Sequence, residues 1–127
     1  MIQLRLWINL KTNLIIRKNK SKFIYPPSKN DGKIIVKETL KNKLDVDFKK
    51  YKILGACNPP NAYKGLQAET DIGLMLPCNV IVYEAEGGAT VVAAVDPVAS
   101  MQAIDNPKLG EIADEIRQRL HRLIDSL

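Results

Sequence analysis

From Lys33 onward the apolar positions fall into short runs whose period shifts between two and three or four. KIIV at 33–36 is a short strand candidate that runs into KETLKNKL, where Val36, Leu40 and Leu44 recur at i, i+4 and i+8 on one helical face. YKILGA at 51–56 predicts a buried strand, and CNPP ends it because proline has no N–H to give to a ladder. Ala62 to Ala68 predicts a weak helix containing Gly65. IGLMLP then leads to the clearest strand, Asn79 to Glu84, which AEGG joins to a second, Ala89 to Val95. The paired glycines supply the positive φ that a tight turn demands, so the two strands form an antiparallel hairpin.

Two Asx-Pro pairs open the helices that follow. Asp96 as N-cap with Pro97 at the first helical position predicts a short helix through about Ile104. Asn106-Pro107 repeats the device and opens the longest helix, about 107–126. Leu109, Ile112, Ala113, Ile116, Leu120, Leu123, Ile124 and Leu127 form its apolar stripe, with Glu111, Glu115, Arg117, Arg119 and Arg122 elsewhere on the wheel. Such a stripe must cover a sheet. The pattern therefore predicts an α+β fold, a small antiparallel-containing sheet with a central hairpin at about 79–95 packed by the C-terminal helix.

At 127 residues the chain is one domain, long enough to bury a core without disulfides or metal. Its net charge of +5 changes meaning once it is located along the chain. Residues 1–32 carry seven Lys or Arg against one acid, whereas residues 33–127 carry twelve basic and thirteen acidic side chains. The basic character belongs to an atypical N-terminal segment, and 33–127 is the domain proper. Trp7, Phe23 and Tyr25 could stack on bases, but the segment has no recognition motif, and nucleic acid is not an expected partner. MIQLRLWINLKTNLIIRK is broken by Arg5 and Lys11 and fits neither a bilayer span nor a secretory signal. The expectation is a cytoplasmic protein without membrane contact, whose two cysteines are free thiols rather than a bridge.

Both cysteines stand in Cys-Asn pairs beside proline at the edge of an apolar run, Cys57-Asn58 and Cys78-Asn79. Cys57 precedes a Pro-Pro turn; if Asn58 or Asn61 caps the helix beyond it, the positive end of that helix lowers the thiol pKa. The alternative is that each cysteine is a small buried residue at a strand end. An asparagine there likewise either caps its own turn or, with its counterpart on an adjacent strand, lines a polar notch. The candidate site is that notch: Cys57, Asn58, Cys78, Asn79, Glu69 and Asp71, taking a small ligand. Two cysteines and one histidine, His121, do not make a Cys/His zinc site within one chain, and no metal is expected. No Ser-His-Asp arrangement, phosphate loop or nucleotide fingerprint is present, so no cofactor is indicated and no catalytic residue is assigned.

VKETLKNKLDVDFKKYKILGACNPPNAYKGLQAETDIGLMLPCNVIVYE, followed by VVAAVDP and the terminal helix, resembles the bacterial and archaeal family known as domain of unknown function 302, from about Lys33 to Leu127. ILGACNPP and IGLMLPCNVIVYE carry the resemblance. It implies a compact α+β domain, commonly a homodimer, without an established activity, and it brings no catalytic residues. The expected function is a dimeric binding or accessory module without turnover, with a thiol-dependent redox protein using Cys57 and Cys78 as the alternative. The N-terminus departs from the family, which opens with a strand and an amphipathic helix. The abrupt change near Lys33 leads to the hypothesis that residues 1–32 come from a shifted reading frame or mis-called start, leaving a bare sheet edge. The coding DNA tests it: no alternative frame encoding strand, helix and strand means the hypothesis fails.

Overall fold

The computed structural model describes residues 15–20, as a backbone strand, and residues 32–127. In chain order the elements are β1 (Ile15–Lys20), β2 (Lys33–Ile35), α1 (Val36–Leu44), β3 (Tyr51–Ala56), α2 (Pro59–Ala68), a 3-10 turn (Thr70–Met75), β4 (Cys78–Glu84), β5 (Thr90–Val95), α3 (Pro97–Met101) and α4 (Lys108–Ser126). The strands form one antiparallel sheet in the order β1-β5-β4-β3-β2, and the arrangement is α+β. Trp7, Phe23 and Tyr25 lie outside the described residues.

The central hairpin pairs Glu84 with Thr90 and Val80 with Ala94. Its loop takes the positive φ at both glycines, 76° at Gly87 and 77° at Gly88, closed by Ala85 N–H donating to Ala89 O at 2.7 Å. β3 runs along the other side of β4, from Tyr51 opposite Tyr83 to Ala56 opposite Cys78. The Tyr51 and Tyr83 rings stack across that pair, 5.4 Å between centroids. β1, which the apolar pattern does not predict, pairs with β5 from Ile15 opposite Val95 to Lys20 opposite Thr90. The bare edge expected from loss of a first strand is therefore filled on the β5 side.

The core divides into two clusters, and α4 bridges them. Leu54, Cys78, Val80, Val92 and Ala94 from the sheet pack against Leu120 and Ile124 from the second half of α4. Ile72 and Met101 pack against Leu109 and Ala113 from its first half. Ile72 and Ile124 are each only 1% exposed, worth about 1.5–3 kcal/mol apiece as buried side chains. The stripe overreaches at Leu123, which is 48% exposed, because the helix buries a narrower arc than its apolar residues span. α1 overreaches further: Val36 and Leu40 are half-buried, but Leu44 is 66% exposed.

Element ends depart from the pattern where capping decides them. α2 begins three residues before the predicted Ala62, because Asn58 Oδ1 accepts from Asn61 N–H at 3.1 Å and both prolines fit a first turn that needs no N–H. The apolar approach IGLMLP starts in a coil: the chain forms a 3-10 turn from Thr70 to Met75, with Glu69 Oε1 accepting from Asp71 N–H at 3.4 Å. α3 stops at Met101 rather than Ile104, and Ile104 N–H closes a turn onto Met101 O. Asp96 caps α3 as expected, accepting from Val98 N–H at 3.0 Å and Ala99 N–H at 3.4 Å. Asn106 Oδ1 accepts from Lys108 N–H at 3.1 Å while its Nδ2 donates to Ala68 O at 2.9 Å, tying the start of α4 to the end of α2.

Candidate functional site

The ends of β3 and β4 meet where Gly55 faces Asn79 and Ala56 faces Cys78. Pro77, reached through a cis peptide from Leu76, lies across Gly55, and a Cβ on Gly55 would stand 2.7 Å from Pro77 Cγ. Only glycine permits that approach. It lets β4 enter the sheet directly after Pro77, beside the point where the chain leaves β3 through Cys57 and enters α2. A cleft opens there, beneath α2 and against α4, at the seam between the two core clusters.

Ala56, Cys57, Asn58, Asn61 and Ala62 line the cleft on one side, with Pro77 and Cys78 beside them. Gly65, Ile72, Leu76, Met101, Leu109, Ile112 and Ile116 complete it. It holds about 410 Å³ of atom-free space that opens to solvent, of which about 20 Å³ is wide enough for the centre of a water molecule. That suits a water or a slim ligand rather than a large one.

Of the six residues read from the sequence, Cys57, Asn58 and Cys78 line this cleft, and Asn79, Glu69 and Asp71 are not among its lining residues. The two Cys-Asn pairs are not equivalent. Asn58 spends its side-chain oxygen on capping α2. Cys78 and Val80 point toward the helices and are buried, whereas the intervening Asn79 is exposed on the opposite face by strand alternation. Glu69 caps the 3-10 turn and Asp71 is exposed within it.

Both cysteines are free; Cys57 is exposed and Cys78 buried. Burial pushes the Cys78 thiol above its ordinary pKa, and the nearby Cys57 pushes it further. Among the described residues no group of three or more His, Cys, Asp or Glu side chains is placed to hold a metal ion. His121 is exposed on α4 and does not line the cleft.

The residue the pattern undervalues is Asn61. It is 2% exposed, lines the cleft, and its Nδ2 has no hydrogen-bond partner. Glu115 feels it: Arg119 first, then the Asn61 amide, holds that carboxyl below the usual carboxylate range, although Nδ2 stays outside hydrogen-bond geometry. The signal was present in the sequence as Asn61 and Gly65, four apart on one side of α2, both buried. Met101, Ile112 and Ile116 come to the cleft from distant elements, and no local pattern announces that.

Among the described residues no helix is long and apolar enough to cross a membrane. No curated protein matches the chain. Among solved structures, it is similar to an uncharacterized conserved DUF302 protein from Bacillus stearothermophilus, at 25% identity over 90% of this chain and 98% of that one, with a TM-score of 0.75. With the model for domain of unknown function DUF302 matching residues 32–127, most of the chain, this protein belongs to the DUF302 family.

Proposed function

We propose that this chain is a cytoplasmic, homodimeric binding or accessory module without turnover of its own, and that its ligand sits in the cleft at the ends of β3 and β4. The observation that carries the reading is the buried Asn61 Nδ2, a donor in a mostly apolar cleft that makes no hydrogen bond, with the Glu115 carboxyl near enough to feel it. A buried donor left unpaired costs about 1–3 kcal/mol, which a ligand acceptor would recover. The ligand class that fits is a slim molecule with an apolar body and one oxygen acceptor. Two free cysteines support a reducing compartment. Tyr63, Leu66 and the 87% exposed Leu74 leave apolar surface around α2 and the 3-10 turn that a second copy would cover.

Ligand-observed NMR with a panel of short-chain carbonyl compounds tests the cleft. Binding that Asn61→Leu abolishes is the expected result, and equal binding by wild type and variant would refute the role of Asn61. Native mass spectrometry tests the dimer; a monomer at micromolar concentration contradicts it. The redox alternative draws on the same two free thiols, with Cys57 attacking and Cys78 resolving. Alkylation of Cys57 at neutral pH no faster than a free thiol removes that alternative.

A further inference from the structure

Three sulfur-bearing residues line one cleft. Cys78 opens β4 opposite Ala56, and Cys57 is the next residue along, where the chain turns over the end of the sheet. Met101 comes from α3, is 6% exposed, and lines the same space. No lysine, arginine, carboxylate or imidazole is among the lining residues. The two cysteines carry no disulfide, and the pairing of Ala56 with Cys78 places Cys57 one residue from Cys78's partner across the sheet.

We propose that Cys57, Cys78 and Met101 form a binding site for one soft monovalent cation of the copper(I) type. Zinc asks for four nitrogen, sulfur or oxygen donors in a tetrahedron, which this cleft does not supply. A soft monovalent ion is satisfied by two or three sulfur ligands and prefers thiolate and thioether to oxygen. Binding forms two copper–thiolate bonds and breaks two S–H bonds, and both protons leave to solvent; no electron is transferred. The thioether of Met101, at the end of α3, adds a neutral third donor. The exposed Cys57 serves as the point of entry, and the buried Cys78 and Met101 hold the ion away from water. This site goes beyond the small-molecule reading and uses none of the Asn61 chemistry on which that reading rests.

The test is competition for copper(I) between the anaerobically reduced full-length chain and the chelator bathocuproine disulfonate, read by absorbance and by native mass spectrometry. One copper retained per chain, with ultraviolet sulfur-to-copper charge-transfer absorption, is the expected result. Cys57→Ser should weaken retention about tenfold or more, since it removes one of two thiolates. Met101→Leu keeps apolar volume and should weaken it less, but measurably. Cys57 is exposed, so its serine variant leaves no cavity, and an unchanged near-ultraviolet circular dichroism spectrum establishes that it is folded. No copper retained against the chelator overturns the proposal, as does Cys57→Ser retaining copper as tightly as wild type. A metal-free product lighter by two hydrogens also overturns it and assigns the thiols to a disulfide. Carbonyl binding is measured separately on the metal-free chain, so failure of one reading leaves the other standing.

Discussion

Replacing Asn61 by leucine should stabilise the ligand-free protein. Asn61 is 2% exposed and its Nδ2 lacks a partner, so the folded state strips water from an amide donor without returning a hydrogen bond. That desolvation costs about 1–3 kcal/mol. Leucine keeps the branched shape but is larger, and the open cleft beside Asn61 takes up the extra volume, so overpacking offsets only part of the gain. Ile72, Leu109, Ile112 and Ile116 line the same cleft and give an apolar side chain a compatible neighbourhood. The expected net gain is about 1–2 kcal/mol, which at this chain length raises Tm by about 3–8 °C. Urea unfolding followed by circular dichroism measures it, with Asn61→Ala as the control that removes the amide but leaves a void. Loss of about 1 kcal/mol or more in Asn61→Leu would refute the reasoning, because it would mean that the amide is satisfied in solution. Glu115 is the acceptor to examine in that event, since its carboxyl already feels the amide. A double-mutant cycle between the two should show only a weak coupling, short of what a hydrogen bond to a charged group gives, if Nδ2 is unpaired. Stabilisation combined with lost ligand binding is the signature of a polar group kept for function.

Gly55→Ala should destabilise by about 1–3 kcal/mol in the same urea assay, because the new Cβ would meet the Pro77 ring at 2.7 Å and neither β3 nor the ring yields easily; an unchanged midpoint refutes the close approach. Asp96→Asn keeps the Oδ1 acceptor for the start of α3 but loses the charge facing Arg117 Nη2 at 3.0 Å, whereas Asp96→Ala loses both. The alanine variant should therefore cost about 1 kcal/mol more than the asparagine variant, and equal costs would remove the cap from the account. The Cys78 thiol is raised in the folded state, so the unfolded chain releases that proton first as pH rises. Its contribution to stability is complete below the unfolded thiol pKa of about 8.5 and declines as pH climbs through the folded value. Comparing wild type with Cys78→Ala between neutral and alkaline pH should show the steeper loss in wild type, and parallel curves refute the assignment.

Helix and strand identity was legible wherever a local rule governs the backbone. AEGG announced positive φ at Gly87 and Gly88, Asp96-Pro97 announced the cap of α3, and the spacing from Leu109 to Ile124 announced the helix that covers the sheet. The sequence made Cys57 and Cys78 neighbours only on condition that the strand ending at Ala56 lies beside the strand opening at Cys78, and the pairing of Ala56 with Cys78 meets that condition. The notch drawn around them was less legible. Asn79 differs from Cys78 only in strand parity, and parity acquires meaning once a helix layer covers one face of the sheet. β1 lacks the alternation that marks a strand, yet the hydrogen-bonding edge of β5 takes it, since ladder bonds are made by backbone and not by side chains.

What the sequence determined alone was local: periodicity, caps, turns and the concentration of basic residues in 1–32. What the tertiary structure decided was coincidence. Asn61 is an unremarkable first-turn residue until α4 closes over it, and Met101 is an ordinary end to a short helix until it lines the cleft that both thiols line. Burial and shared walls arise from elements far apart in the chain, and a cleft at a seam between two core clusters has no local code.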